Sequence, residues 1–395
     1  MSRTAPHPDR GLHIAVAVFA VAAAAAVALF CTLVASGGTL FDALGAASGG
    51  GASATGSSEA ASGDEAAADS EQADAEDAED AAEAEATTFT VSVAGDCTLG
   101  TDEYFSASTN FTAKYDEVDD ASYFFANVYD LFSADDLTIV NLEGTLTDST
   151  TRADKTFAFK GPAEYVDILT AGSVEACDLA NNHSHDYGDE SYTDTIENVE
   201  AAGIDTFGYD RIAYVDVQGV SVALVGVYEL AEGLGIQDDM EELVAEAQDA
   251  GAQVTVVYFH WGTELETVPD TTQVTLAHAA VDAGADLVVG SHPHVIQGYE
   301  YYEGVPIVYS LGNFCFGGNS NPSDYDCMIV QLQFTVDAEG AVSAGELEVV
   351  PCSVSSSTSI NTYQPTPAEG DEAERILAKI EESNEAIAEL SAQVG

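Results

Sequence analysis

Short apolar runs alternate with longer amphipathic runs from about residue 89 onward. Each apolar run has the length of a buried strand and ends in polar or charged residues. The amphipathic runs have helical spacing, and three of them close on glycine, as helices often do. This alternation predicts an α/β domain in which ligands bind at the carboxyl ends of the strands. The strand-like runs are 89–96, 137–144, 174–182, 254–262 and 286–294, and the helical runs are 123–133, 192–203, 240–251 and 273–284.

Later segments add strands without helices between them. Residues 212–229 have the pattern of a hairpin around Gly219, and residues 305–314 and 327–352 have the pattern of antiparallel strands. This mixed order predicts two sheets packed face to face between helices. After Pro367 a polar segment of helical spacing predicts a helix that either docks on the domain or binds a partner. We therefore place the folded domain at residues 88–364 and a helical tail at residues 365–395.

The first residues predict a membrane anchor. Arg3 and Arg10 precede an uncharged apolar stretch, residues 12–35, that is long enough to span a bilayer. The positive flank is expected to stay in the cytoplasm, so residues 1–11 are predicted to be cytoplasmic and the main domain extracytoplasmic. A cleaved signal peptide is the alternative. Phe30 before Cys31 argues against a lipoprotein anchor, because a small residue is expected there.

Residues 36–87 and the chain as a whole are rich in acidic residues. Residues 36–87 consist mainly of Gly, Ser, Ala, Asp and Glu, which bury too little surface to offset the entropy of ordering. They are predicted to form a disordered, self-repelling tether. The whole chain has 69 Asp and Glu against 9 Lys and Arg, for a formal charge of -60. Such a surface repels phosphate backbones and excludes nucleic acid as an expected partner.

The cysteines do not suggest a disulfide framework. The chain has six, none in a CxxC pair, and Cys31 lies in the predicted anchor. The remaining five cannot all pair within one chain. Cys97 and Cys177 lie in strand-like surroundings and are predicted to be small core residues. Cys315 with Cys327 is the one candidate disulfide.

Metal-ligand residue types occur at the ends of all five strand-like runs. Residues two apart in a strand project to the same side, so Asn141 with Glu143 and His292 with His294 can face one cavity. A single histidine at a strand end is more often a hydrogen-bonded surface residue, but the coincidence of several indicates a metal site. Imidazoles with carboxylates suit Zn, Mn or Fe rather than Ca or Mg. The candidates are Asp96, Asn141, Glu143, Asn182, His183, Asp186, His260, His292 and His294.

A set of short motifs occurs in an order that resembles a known family. The chain resembles the CapA family of bacterial capsule synthesis proteins, which is linked to poly-γ-glutamate production and has a domain similar to calcineurin-like metallophosphoesterases. The resemblance covers about residues 89–351 and implies a four-layer α/β/β/α sandwich. Its motifs are GDCTL (95–99), NLEG (141–144), FKGP (159–162), NNHSHDYG (181–188), HWGTE (260–264), SHPHVIQG (291–298) and SLGNF (310–314).

The resemblance also implies roles for single residues and a cofactor of one or two divalent transition metal ions, Mn, Zn or Fe. His183 would be the general acid, or would stabilise charge on the substrate, and Asp186 would orient it. Glu143 would bridge two metals. The further implied ligands are Asp96 and His294 for one metal, and Asn182, His260 and His292 for the other.

Two departures from the phosphoesterase pattern bear on activity. Phosphoesterases of this fold usually have a histidine two residues after the first aspartate, where this chain has Thr98. They also usually bridge the metals with an aspartate, where this chain has the longer Glu143. These differences predict a weakened or absent first metal and leave phosphatase activity open.

Two functional hypotheses follow. The first is a membrane-anchored, metal-dependent hydrolase or transferase that acts on a capsular polyanion or cell-wall polymer. The second is a non-catalytic subunit that binds or guides polymer during export beside membrane synthase subunits. Lys160, Asn141 and Asn313 are candidate substrate-binding residues, although Lys160 could equally be a surface lysine that balances nearby acids.

Overall fold

The computed structural model describes residues 86–394. The predicted cytoplasmic segment 1–11, the anchor 12–35 and nearly all of the linker 36–87 lie outside those residues. The first strand begins at Thr87. None of the helices within residues 86–394 combines the length and the hydropathy required to cross a bilayer.

Seventeen strands lie within the described residues. They are β1 (Thr87–Thr98), β2 (Leu137–Leu142), β3 (Thr145–Leu146), β4 (Lys160–Gly161), β5 (Ala176–Asp178), β6 (Asp205–Phe207), β7 (Ile212–Val217), β8 (Val220–Tyr228), β9 (Val254–His260), β10 (Leu287–Ser291), β11 (Ile296–Tyr302), β12 (Val305–Leu311), β13 (Asn313–Phe316), β14 (Asp326–Val336), β15 (Val342–Ala344), β16 (Glu348–Ser353) and β17 (Thr366–Pro367).

The strands form two large sheets and one small ribbon. The first sheet has the order β17-β16-β14-β1-β2-β5-β6, with β13 paired to β1 and β15 to β14. Its strands β1, β2, β5 and β6 are parallel. The second sheet has the order β11-β12-β10-β9-β8-β7, with four parallel strands between antiparallel edges. The parallel pair β3 and β4 forms the ribbon.

Seven α-helices accompany the strands in this part of the chain. A predicted helix over 123–133 is wrong for most of its length, because residues 124–128 form tighter turns with bonds to the third residue back, such as Val128 N–H to Phe125 O. The helices are α1 (Phe111–Val118), α2 (Tyr129–Phe132), α3 (Val166–Ala171), α4 (Asp189–Ala201), α5 (Gln237–Asp249), α6 (Thr271–Ala283) and α7 (Gly370–Val394).

Three apolar cores separate the layers. One core lies between the sheets and joins Val93 and Ile139 to Leu224 and Val256. A second lies between the outer face of the first sheet and helices that include α3 and α4, and a third between the outer face of the second sheet and α5, α6 and α7. The layers therefore follow the order α/β/β/α, and the mixed α/β class expected from the sequence is confirmed.

Helix α7 packs on the second sheet. Ile376, Ile380 and Ile387 are buried along one side of it. At its middle, the Gly298 amide on β11 donates to Ser383 Oγ at 2.8 Å, and a side chain on Gly298 would collide with Asn384. The candidate disulfide is not formed, since all five cysteines of the described residues are free and buried, Cys315 and Cys327 included.

Candidate metal centre

The carboxyl ends of parallel strands from both sheets meet at one place. Apolar residues predominate in the strand interiors, and the carboxylate, amide and imidazole side chains of the site appear where each strand leaves its sheet. Asp96 lies near the end of β1, Asn141 near the end of β2, and His260 ends β9. Glu143 follows β2, while His292 and His294 follow β10.

Glu143, His292 and His294 form the centre of the site. Within residues 86–394 they are the one group of three metal-ligand side chains whose donor atoms all lie within 4.8 Å of one another. Both carboxylate oxygens of Glu143 and Nδ1 of His292 are buried without a hydrogen-bond partner. Burial, and next the charge of Asp96, raise the pKa of Glu143 well above its usual value. Buried polar atoms without partners are costly, so they mark this cluster as a place for a ligand.

His294 is held by two neighbours through Nδ1. Asp96 Oδ2 and Asn313 Oδ1 each lie 3.0 Å from that nitrogen, and Asn313 Nδ2 also donates to the His294 carbonyl at 3.2 Å. Because both oxygens accept, Nδ1 carries the proton and Nε2 faces Glu143 Oε1, 3.8 Å away. Burial lowers the pKa of His294, but Glu143 and Asp96 outweigh burial and raise it to about 10.

His260 sits between two amides. Its Nε2 lies 3.0 Å from Asn182 Oδ1, and its Nδ1 lies 3.3 Å from Asn141 Nδ2. A neutral ring that donates from Nε2 and accepts at Nδ1 satisfies both contacts. Burial, followed by the neighbouring His292, lowers the pKa of His260 well below its usual value, which favours that neutral form.

His183 is aimed at Glu143 by an acidic partner. Its Nδ1 lies 2.6 Å from Asp186 Oδ2, and its Nε2 lies 3.7 Å from Glu143 Oε1. The ring centroid of Phe159 is 4.4 Å from that of His183, and the Phe159 amide donates to the same Asp186 oxygen. Burial lowers the pKa of His183, so the ring is predominantly neutral near pH 7.

Lys155 is a component of the site that the sequence did not reveal. Its Nζ donates to Asp186 Oδ1 and to the Asn182 carbonyl, both at 2.7 Å, and lies 3.3 Å from His183 Nδ1. The lysine thereby holds the Asp186 oxygen that His183 does not contact. No motif contains Lys155, so the only available signal was its membership of a very small set of basic residues.

The segment 181–186 divides into ligand-facing and structural residues. Asn181 Nδ2 donates to Asn141 Oδ1 at 2.9 Å and to the Leu142 carbonyl at 3.0 Å, which ties the segment to β2. His185 instead points outward, stacks on Tyr192 at 4.7 Å and contacts Asp189. These two residues had no assigned role from the sequence, and their contacts are those of structural residues.

The backbone that carries the two histidines after β10 is strained. His292 and His294 have φ values of 95° and 57°, in the left-handed region that non-glycine residues seldom occupy. Such strain persists only where the surroundings over-determine it, and it concentrates at functional sites.

The donor set suits a transition metal. Two imidazoles and a carboxylate match the preference of Zn, Mn or Fe, and unpartnered atoms on both Glu143 and His292 are available for coordination. Thr98 takes no part, since its hydroxyl donates to the Glu143 carbonyl at 2.7 Å and so supports the backbone that carries the carboxylate. The wider ligand set that adds Asp96, Asn182 and His260 stays a prediction.

A cavity of about 220 Å³ opens onto the cluster. His183 and His294 lie at its base, and Phe157 and Leu265 stand at its mouth with 50% and 61% of their surface exposed. Exposed apolar side chains beside buried polar ones offer a contact for an apolar part of a substrate.

The three candidate substrate-binding residues occupy different surroundings. Asn141 is fully buried, with its amide bonded to Asp96 and Asn181. Asn313 contacts His294 and also lines the cavity over the cluster. Lys160 instead lines a separate cavity, described below. Their roles in substrate binding stay predictions.

A family model described as "Bacterial capsule synthesis protein PGA_cap" matches residues 90–318. That match covers more than half of the chain and includes every candidate metal ligand. The chain therefore belongs to this family of bacterial capsule synthesis proteins.

Individual relatives carry names from capsule production. The PGA biosynthesis protein CapA of Bacillus subtilis (strain 168) is 30% identical over 280 residues, which are 65% of this chain and 70% of the relative. The capsule biosynthesis protein CapA of Bacillus anthracis is 35% identical over 187 residues, 42% of this chain and 46% of the relative. Among solved structures, the sulfate thiohydrolase SoxB of Thermus thermophilus has a TM-score of 0.40 and 14% identity, covering 76% of this chain and 61% of that one.

Proposed function

We propose that this protein is a metal-dependent hydrolase or transferase that acts on a capsular or cell-wall polymer during poly-γ-glutamate production. The observation that carries the proposal is the buried Glu143 carboxylate without hydrogen-bond partners, grouped with His292 and His294. Membership of the capsule synthesis family supplies the biological setting. The four-layer arrangement, with its site at the strand ends, supports a metallophosphoesterase-like architecture for that chemistry.

Glu143, His292 and His294 would hold the ion, with Asp96 and Asn313 fixing the ring of His294. A divalent transition metal supplies Lewis-acid chemistry when bound. The protein residues then determine orientation and proton movement around it.

His183 would move the proton in this reaction. Because its Nδ1–H is donated to Asp186, the neutral ring presents a lone pair at Nε2, on the side of Glu143. Nε2 would first accept a proton from the attacking group and then donate it to the leaving group. Lys155 would hold Asp186 in place during both steps, and Phe159 would limit water at the ring.

We propose that the reaction takes place outside the cell, with the chain anchored by residues 12–35. The uncharged length of that stretch and the two arginines before it support this placement. The proposed partners are the polymer and membrane-bound synthase subunits.

The alternative is a polymer-binding or export subunit without catalysis. Thr98 favours it, because this residue donates inward to the Glu143 carbonyl where phosphoesterases of this fold provide a metal-binding histidine. A site with fewer ligands for one ion fits binding without turnover.

The deciding experiment combines metal analysis with a matched pair of histidine variants. The full chain, purified from cells grown with Mn, Zn and Fe, is expected to retain about one equivalent of metal or more. His183→Ala should keep the metal and lose cleavage of γ-linked polyglutamate by about 10²-fold or more, because it loses the acid-base group. His185→Ala, two residues away and exposed, should keep both.

The outcomes separate the two functions. Metal content well below one equivalent would contradict the catalytic reading. Full polymer cleavage or release by His183→Ala would remove His183 from the mechanism. Polymer binding without any turnover in the metal-loaded wild type would establish the non-catalytic alternative.

A further inference from the structure

Lys160 differs from every other basic residue of residues 86–394. Seven of the chain's nine lysines and arginines lie in that range. Six of them have a carboxylate oxygen within 4.0 Å: Lys114, Arg152, Lys155, Arg211, Arg375 and Lys379. Among these seven, Lys160 alone has no such partner within residues 86–394, although acids outnumber bases more than sevenfold in the sequence.

Neutral groups hold the Lys160 side chain in place instead. Its Nζ donates to the Ser149 carbonyl at 2.7 Å and lies 4.7 Å from the centroid of the Tyr187 ring. A carbonyl and an aromatic face orient an ammonium group without neutralising it. The ammonium has three protons, so it retains the capacity to donate to a ligand.

The surroundings of Lys160 form a polar cavity of about 400 Å³. Two carboxylates also line it, Glu103 and Asp148. Both are exposed to water, which screens them, and Arg152 lies 3.7 Å from Glu103. Hydroxyl groups supply most of the remaining polar lining: Thr101, Thr112, Thr147 and Thr150.

The cavity adjoins the metal centre through two consecutive residue pairs. Phe159 packs on His183 and donates its amide to Asp186. One residue further along each segment, Lys160 lies against Tyr187. Lys160 and Tyr187 are therefore the chain neighbours of Phe159 and Asp186, the two residues that contact His183 and orient it.

We propose that Lys160 and the hydroxyls of Thr112 and Thr150 bind a single carboxylate group of the polymer. The hydroxyls of Thr147 and Thr101 already donate to Asp194 and to the Asp102 carbonyl, so they are not counted as donors to the ligand. The inference rests on the proposed function, since it names the part of the substrate that this second cavity takes. One positive group with hydroxyl donors suits a monoanion. A phosphate carries about two negative charges near pH 7, and Lys160 is the only basic residue among those that line the cavity, so a singly charged carboxylate is the better match.

Calorimetric titration of the full chain with a short γ-linked oligoglutamate tests the proposal. A chelator is present, so that carboxylate binding to metal cannot contribute. Lys160→Met should weaken binding about tenfold or more, because a hydrogen bond to a charged group contributes about 1.5–3 kcal/mol. Lys160→Arg should retain most of the affinity, and Lys114→Met, which removes a lysine already paired with Glu117, should leave it unchanged.

Neutral and phosphate probes define the ligand class. The amide analogue, oligoglutamine, should not bind, and inorganic phosphate should compete poorly. Equal affinity in the wild type and Lys160→Met, equal affinity for oligoglutamine, or stronger competition by phosphate would each overturn the proposal. If Lys160→Met melts early, Lys160→Gln replaces it in the same titration: this variant keeps a polar group and removes the charge, so it should also weaken binding, and wild-type affinity in it would overturn the proposal.

The result is separable from the fate of the proposed reaction. Lys160-dependent binding in a protein that holds no metal would leave this subsite standing and refute the catalytic function. A protein that takes up metal and turns over polymer, but binds the oligoglutamate equally well in wild type and Lys160→Met, would support the catalytic function and refute this subsite.

Discussion

Acidic residues lie at both ends of the parallel strands, and Glu143 at the carboxyl ends differs from the acids at the amino ends. At the amino ends, an acid just before one strand accepts the amide of a threonine on the neighbouring strand. Glu175, before β5, accepts from Thr138 on β2 at 2.8 Å. Asp286, before β10, accepts from Thr255 on β9 at 2.8 Å. At the carboxyl ends, Glu143 accepts no hydrogen bond.

Hydrogen bonding therefore distinguishes carboxylates that support the fold from a carboxylate that is available to a ligand. A half-buried carboxylate that accepts a strand amide, such as that of Glu175 or Asp286, satisfies a backbone donor and belongs to the fold. A buried carboxylate without a donor lowers stability and is retained for a ligand. A raised pKa does not separate them, since burial raises the pKa of Glu175 to about 7 and also raises that of Glu143.

The largest expected effect comes from Glu143→Met. Removing buried oxygens that have no hydrogen-bond partner should raise the free energy of unfolding of the metal-free protein by about 1–3 kcal/mol, and metal uptake should fall. Denaturant unfolding in chelator and metal analysis measure the two effects. Glu232→Met, at an exposed position, is the control. A destabilised Glu143→Met protein would mean that the carboxylate supports the fold.

The same substitution at the amino end should act in the opposite direction. Glu175→Met leaves the buried Thr138 amide without its acceptor and should lower the free energy of unfolding by about 1–3 kcal/mol. Metal content should not change, since Glu175 lies at the far end of its strand. If Glu143→Met and Glu175→Met change the free energy of unfolding in the same direction, the proposed difference between the two glutamates is wrong.

The pH dependence of stability gives a smaller effect. Burial raises the pKa of Glu175 to about 7 from 4.5, so the folded state binds the proton more tightly than the unfolded state. Stability should therefore be highest below pH 4.5 for this group and fall as the pH rises toward 7. Glu175→Gln keeps an acceptor for Thr138 and should remove about 1–2 kcal/mol of that decline, after allowance for partial exposure.

Unfolding measured from pH 4.5 to 7.5 tests this slope. Asp286, whose pKa burial raises to about 6, should leave a residual decline at the lower end of the range in the variant. An unchanged slope in Glu175→Gln would show that Glu175 titrates as an exposed acid.

Much of this organisation could be predicted from the sequence, because strand periodicity locates the strand ends and hence the polar residues that follow them. Asp96, Glu143 and the histidine pair after β10 were found in this way. Lys155 and the neutral contacts of Lys160 could not be found, since they depend on how the loop between β3 and β4 folds back on residues 182–187. The predicted helix over 123–133 is mostly wrong because the buried aromatic residues of this segment have helical spacing, whereas its backbone forms tighter turns.

The smallest effect should come from the third acid of the amino-end series. Asp136, before β2, accepts the Thr90 amide on β1 at 2.9 Å, but it is exposed. Asp136→Ala should lower the free energy of unfolding by only about 0.5 kcal/mol, because water can replace the lost acceptor. Denaturant unfolding beside Glu175→Met gives the comparison. A cost as large as that of Glu175→Met would mean that the strand-to-strand bond itself stabilises the sheet, whether or not it is buried.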